Sequence, residues 1–291
     1  MIDENIAKLT VGIPTFNSSK YLEKCIKSVI NVDCVSEIIV SDDCSSKLEK
    51  SKIFKIVNKF KKYNKNILLE FNNENFGAYV NKFNLLQKSN NELVYILDSD
   101  NIAMKKLDEI FNFIISTDNY KNFLFQPNTL YQFRRFPKFK RIYSLLFNKS
   151  KVKFVNKTRN LTFNDVRDSM ILNPGNYDLK DYSKNINELE AKLESDFMVD
   201  KWIMWVLNCG NFIVSKKSML NIGSSGINFE RKLRSTDAVV FSYLWLMSGK
   251  SIKIISDFYH HHRKRNDSVS FLEREASQLA INHFISEIIN S

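Results

Sequence analysis

Leu93-Val94-Tyr95-Ile96-Leu97-Asp98-Ser99-Asp100 decides how this chain folds. Five apolar residues in a row, preceded by polar Asn90-Asn91-Glu92 and stopped by two acids, read as a buried strand that ends in a turn. Moving back along the chain, the same unit recurs. Ile67 to Phe71 is a strand, joined to Leu93 by a helix around Ala78 to Gln87. Ile38 to Val40 is another, closed by Ser41-Asp42-Asp43 and followed by a lysine-rich amphipathic helix marked by Ile53, Phe54, Val57 and Phe60. The first strand, Leu9 to Ile13, ends at Pro14. Asn17, Ser18 and Ser19 then offer helix caps before Tyr21, Leu22, Cys25, Ile26, Val29 and Ile30, which recur with helical period.

Four strands alternating with three helices predict an α/β fold, a Rossmann-like, mostly parallel sheet flanked by helices. Ligands of such sheets bind beyond the carboxyl ends of the strands. Here those ends carry Thr15 and Asn17, then Asp42 and Asp43, then Asp98 and Asp100, with the polar run Asn72-Asn73-Glu74-Asn75 after the third strand. Chemistry is expected along that one edge.

After Ser116 the texture changes, and residues 117 to about 205 are irregular and rich in Asn, Lys and aromatics. An apolar segment (Trp202 to Val214), a helix (Asp237 to Met247) and a strand (Ser251 to Ile255) follow. Next come the basic run His260-His261-His262-Arg263-Lys264-Arg265 and a helix from Leu272 to Ile289. The division expected is residues 1–116 for nucleotide binding, 117–270 for the acceptor and the catalytic base within the same domain, and 271–291 as a terminal helix.

Composition narrows the classes. Of 291 residues, 44% are hydrophobic and 26% charged, a globular balance that argues against disorder. No apolar run reaches the roughly 18–20 residues of a membrane span. The acidic start Met1-Ile-Asp-Glu-Asn lacks the basic and apolar regions of a secretory signal. Cys25, Cys34, Cys44 and Cys209 show no zinc spacing and are too few for a disulfide framework, so a reducing, cytoplasmic setting is expected. A net charge of +11 points to an anionic partner: nucleotide, nucleic acid or membrane surface. Arg134 to Arg141 interleaves cations with aromatics and suits anionic lipid headgroups, a peripheral membrane contact, or nucleic acid, or else is a basic surface loop. Trp202 and Trp205 are expected to pack a core rather than stack a sugar.

Asp98-Ser99-Asp100 places two carboxylates on a turn leaving a buried strand, where both can face a divalent cation. Mg²⁺ or Mn²⁺ with a nucleotide takes one or two carboxylates plus phosphate oxygens. A bare Asp-x-Asp is more often a solvated turn or helix cap, and it is the place after a fourth parallel strand that favours the metal reading. Asp42-Asp43 can accept from a ribose or base, or simply form a turn. Asn75-Phe76-Gly77 opens the next helix.

Taken in order, Val11-Gly-Ile-Pro-Thr-Phe-Asn17, Ile38-Ile-Val-Ser-Asp-Asp-Cys-Ser-Ser46, Asn75-Phe-Gly77 and Tyr95-Ile-Leu-Asp-Ser-Asp-Asn101 resemble the motifs of family 2 glycosyltransferases. Gly210 to Gly223 resembles that family's acceptor-side strand and helix, and Thr236-Asp237 with the following Ala-Val-Val-Phe resembles the segment carrying its general base. The resemblance implies a GT-A fold with an irregular acceptor-side region. It also implies transfer of a sugar from a nucleotide-diphosphate donor, a UDP-sugar, to an acceptor hydroxyl with inversion, in glycan or polysaccharide synthesis on a glycan or lipid-linked acceptor. Residue by residue it implies Asp43 on the uracil, with Pro14, Thr15, Phe16, Asn17, Asp42, Asn75 and Ser99 around the nucleotide. Asp98 would contact ribose or metal, Asp100 would be the direct metal ligand, His260 (or His262) a third ligand, and Asp237 the catalytic base. The departures are Cys44, where the family has glycine, and Thr236, where it has glutamate.

Two other functions fit the sequence less well. A sugar nucleotidylyltransferase needs a glycine-rich phosphate loop after the first strand, and Gly12-Ile-Pro-Thr-Phe-Asn17 has none. A nucleic-acid-binding protein would fit the charge, but its groove should be basic where these strand ends are acidic.

Overall fold

The computed structural model describes residues 8–133, 151–153, 157–172, 207, 209–223 and 237–263, with a few residues between 282 and 290. In chain order these give β1 (Leu9–Thr15), α1 (Ser19–Val29), β2 (Val35–Asp42), α2 (Lys47–Phe60), β3 (Asn66–Phe71) and α3 (Ala78–Lys88). Next are β4 (Leu93–Ile96), β5 (Ile102–Ala103), α4 (Leu107–Ile115), β6 (Phe123–Phe133), β7 (Lys151–Lys153), β8 (Arg159–Leu161) and α5 (Phe163–Leu172). Last come β9 (Phe212–Ser215), α6 (Lys216–Gly223), α7 (Asp237–Met247) and β10 (Ser251–Arg263).

One sheet runs in the order β3-β2-β1-β4-β9-β6-β10-β5, with β7 added to β6 and β8 to β10. The first four strands pair in parallel, as their βαβ rhythm requires. β9 then enters antiparallel between β4 and β6, and β10 runs parallel to β6. Alternation along each strand feeds two cores. Val40, Leu93, Tyr95 and Leu97 point into the layer of α1, α2 and α4, whereas Ile39, Val94 and Ile96 point into the layer of α3, α6 and α7. Both faces are covered, which is why these strands read as unbroken apolar runs. α7 is buried all round from Ala238 to Leu246 and forms the centre of the second layer.

Three sequence expectations need correction. Pro14 does not end the first strand but lies inside it. β4 pairs only with Leu9 to Gly12, so no ladder seeks the missing N–H of Pro14, and its carbonyl still accepts from Ser99 N at 3.3 Å. Ser18 caps α1 by position without a side-chain bond to the helix, because its hydroxyl is used elsewhere. The strand from Ser251 does not stop at Ile255 but continues through the histidines to Arg263 beside β6. At the opposite edge, Glu37 is buried and accepts from Thr10 Oγ1 (2.7 Å), Asn66 Nδ2 (3.0 Å) and Asn90 N (2.9 Å), tying together the amino ends of the strands.

No helix among the described residues is long and apolar enough to cross a membrane. The segment Arg134 to Arg141, Trp202, Trp205, Thr236 and most of the helix expected from Leu272 to Ile289 lie outside the described residues.

Candidate active site

The antiparallel entry of β9 beside β4 brings the start of one strand to the end of the other, with Ile96 opposite Phe212. Asn211 therefore meets Asp98 and binds it twice. Asp98 N donates to Asn211 Oδ1 at 2.8 Å, and Asn211 Nδ2 donates to Asp98 Oδ2 at 3.2 Å. Asn101 N, donating to Asp98 O at 2.9 Å, closes the turn that carries Ser99 and Asp100.

The other Asp98 oxygen faces Lys82 of α3. The Lys82 ammonium lies 2.8 Å from Asp98 Oδ1 and 2.6 Å from Asp237 Oδ2, and donates to Gly210 O at 3.0 Å. The ammonium thus has two carboxylates and one carbonyl oxygen around it, the company a buried charge requires. The Lys82 side chain is 3% exposed, against 13% for Asp237 and 31% for Asp98. Burial alone would push this ammonium down, but the Asp237 and Asp98 carboxylates outweigh it and hold it well above the ordinary lysine value. Glycine at 210 leaves this pair room, since a Cβ there would lie 3.0 Å from Asp98 Oδ2 and 3.2 Å from Lys82 Nζ and press both side-chain ends aside.

The expected nucleotide pocket lies along the same edge. Asp43 accepts from Phe76 N (2.9 Å) and Asn72 Nδ2 (3.0 Å) on Oδ1 and from Gly77 N (2.8 Å) on Oδ2. A carboxylate offers about four acceptor sites, so one is left for a ligand N–H. Asp42 is turned inward. It accepts from Ser45 N at 2.9 Å and from the Ser45 hydroxyl, while burial raises its pKa. Thr15 Oγ1, Ser18 Oγ and Ser99 Oγ form a hydroxyl chain with 2.7 Å links, fastening the end of β1 to the Asp98–Asp100 turn. Asn17 (φ 47°) bridges to the next loop, its N–H donating to Ser45 Oγ and its Oδ1 accepting from Ser46 N. Phe16 is 36% exposed at the rim, and Asn75 is half-buried beside Phe76. Cys44 has φ 61°, a left-handed conformation that suits the glycine it replaces.

His260 does not lie on a surface loop. It is fully buried in β10, opposite Ala103 of β5 and Leu130 of β6, beside the segment that leaves Asp100. Among the described residues no three His, Cys, Asp or Glu side chains gather as a metal-binding group.

The structure thus brings Asp98 and Asp237 together on one cation and links Thr15, Ser99 and Asp43 into one edge. Sequence reading missed Lys82, and it placed Gly210 and Asn211 in the acceptor-side segment without giving either a part in the site. Lys82 left a signal, because Tyr79, Lys82 and Leu86 share a helical face and two of the three are apolar.

The sequence itself agrees with this geometry, for residues 10–168 match the family described as glycosyl transferase family 2. The chain belongs to that family. Among curated glycosyltransferases, it is 30% identical over 124 residues to an uncharacterized one from Mycoplasma genitalium, spanning 40% of each chain. It is 41% identical over 113 residues to the GalNAc(5)-diNAcBac-PP-undecaprenol beta-1,3-glucosyltransferase of Campylobacter jejuni, a stretch covering 38% of this chain and 33% of that one. The matches therefore span well under half the length of these curated relatives. Among solved structures, S. aureus TarS 1-349 in complex with UDP superposes with a TM-score of 0.60 at 17% identity, over 97% of this chain and 65% of that one. Its complex with UDP-GlcNAc gives 0.59 at 17%, over 97% and 72%. At such identity the likeness is one of fold, and it matches the expected GT-A architecture.

Proposed function

We propose that this family 2 glycosyltransferase moves a sugar from a UDP-sugar to an acceptor hydroxyl, with inversion, in the cytoplasmic synthesis of a glycan or lipid-linked glycan. The observation that carries the reading is the shared ammonium. Lys82 holds an acid of the donor-side turn, Asp98, and the acid opening α7, Asp237, at one point of the sheet edge. Asp237 is the base that takes the proton from the acceptor hydroxyl as that oxygen attacks the anomeric carbon. Asp43 has one acceptor site left and receives an N–H of the base, in a pocket with Pro14, Thr15, Phe16, Asn17, Asn75 and Ser99. The UDP and UDP-GlcNAc bound by TarS, and the lipid-linked name of the Campylobacter relative, favour this class of donor and acceptor.

A divalent cation fits the donor set in part. Asp100 supplies hard oxygen on the turn, and nucleotide oxygens would complete the shell as Mg²⁺ or Mn²⁺ prefers. Asp98 already has one oxygen on Lys82 and the other on Asn211, and stands as its orienting neighbour. A bound cation would neutralise the charge of the departing diphosphate. His260 would act from β10 behind the turn.

Calorimetric titration of UDP with and without Mn²⁺ tests the donor site. Binding that requires Mn²⁺ and disappears in Asp100→Ala is the expected result. Binding indifferent to both metal and mutation would remove Asp100 from the site, and no binding of any nucleoside diphosphate would overturn the reading.

A further inference from the structure

Among the described helices the excess of positive charge is gathered on one layer. Helix α1 carries Lys20, Lys24 and Lys27, and α2 carries Lys47, Lys50, Lys52, Lys55 and Lys59, with Lys61 and Lys62 next in sequence. Only Glu23 and Glu49 oppose them within the two helices. The remaining described helices, α3 to α7, balance, their five cationic side chains matching five acids.

The spacing turns this charge outward. Leu22, Cys25, Ile26 and Val29 bury one side of α1, so Lys20, Lys24 and Lys27 occupy the opposite side. On α2, Ile53, Val57 and Phe60 face the sheet, and Lys52, Lys55 and Lys59 point away. The two helices pack side by side, with Lys59 reaching Glu23 at 3.5 Å across the seam. Lys27 and Lys59 are each 61% exposed even while paired with Glu23. Two large apolar side chains stand exposed on the same layer, Leu48 at 67% and Phe54 at 52%. Both helices start at the edge that carries Thr15 and Asp43, so the layer borders the candidate nucleotide pocket.

We propose that the outer face of α1 and α2 docks on an anionic lipid bilayer, its lysines on the headgroups and Leu48 and Phe54 entering the interface. Lysines flanking exposed apolar side chains on a helix face form the interfacial pattern. A nucleic acid fits less well. Among the described residues the face is a pair of packed helices, and a phosphate backbone gives Leu48 and Phe54 nothing to bury against. The inference depends on no step of sugar transfer. It concerns a surface apart from the active site.

Co-sedimentation of the full chain with vesicles of phosphatidylglycerol and phosphatidylcholine in equal parts tests it, with pure phosphatidylcholine as control, at low salt and at about 0.15 M. Binding to the anionic vesicles alone, weakening with salt, is expected. Lys24→Glu/Lys52→Glu/Lys55→Glu is expected to weaken it at least about a hundredfold, since each lysine near such a surface is worth roughly a factor of five. Leu48→Ser/Phe54→Ser is expected to lose the part of the binding that survives at the higher salt. UDP titration of both variants should match the parent, which separates failure here from failure of the transferase reading. Parent-like sedimentation of the triple variant would overturn the proposal, as would equal binding to neutral vesicles. Displacement of the chain from vesicles by duplex DNA, with DNA affinity lost in the same triple variant, would assign the face to nucleic acid instead.

Discussion

Replacing Lys82 with methionine keeps most of the side-chain length and removes the ammonium that lies between Asp98 and Asp237. Breaking a buried ion pair from one side costs about 3–5 kcal/mol, because the remaining charge is left without a partner. Asp98 is 31% exposed and can turn toward water, so the lower end, about 3 kcal/mol, applies. For a domain of this size that lowers Tm by roughly 6–12 °C. The folded-state value of Lys82 in the parent lies above the ordinary one, so its contribution to stability is complete at both pH 5 and pH 7.5 and fades only in strong alkali; the deficit is expected at both pH values. Adding Asp237→Asn to Lys82→Met removes one of the stranded charges, so the double variant should be at least about 1 kcal/mol more stable than the sum of the single losses. Thermal melts at the two pH values, with both single variants and the double, are the assay. A Lys82→Met protein that melts within 2 °C of the parent at both pH values, or strictly additive losses, would refute the reasoning.

Asp237→Asn is expected to lower transfer by about 10²–10⁴-fold while leaving UDP affinity unchanged, a separation that calorimetry and product assay read directly. Glu37→Ala strands the buried hydroxyl of Thr10 and releases the exposed Asn66 and Asn90 at the far edge of the sheet. It should cost about 1–3 kcal/mol in denaturant melts without altering UDP binding.

The parallel half of the fold was legible because its strands are buried on both faces. Leu93 to Leu97 must be apolar throughout when Tyr95 enters one core and Val94 the other. α7 was legible for a similar reason, since a helix buried all round writes a long apolar word. β10 was only half legible. Its first residues alternate into the core, but His260, His261, His262 and Arg263 carry loop-like chemistry into a strand that β6 pairs to its end. Their order is imposed by neighbours and not by local preference. The same distinction divides the site. Asp98 and Asp237 announce themselves by their places at a strand end and a helix start. That they share a cation depends on β9 entering antiparallel beside β4, and the local pattern around Asn211 holds no sign of it.

Lys82 is aimed by a chain of contacts that begins at the nucleotide edge. Asp43, at the end of β2, accepts from the backbone N–H groups of Phe76 and Gly77, and Gly77 is the N-cap residue of α3. A carboxylate there also meets the positive end of the helix dipole. The group expected to read the nucleotide base therefore anchors the helix whose second turn carries the ammonium. Asp43→Asn keeps the shape but turns one acceptor into a donor facing a backbone N–H. The start of α3 should loosen, so the variant is expected to lose transfer by more than its weakened UDP binding explains, at saturating donor as well as below it. Its Tm should also fall by a few degrees, the mark of a loosened helix. Loss of UDP affinity alone, with parent-like turnover at saturation and an unchanged melt, would show that Asp43 serves the base only and that α3 holds Lys82 without it.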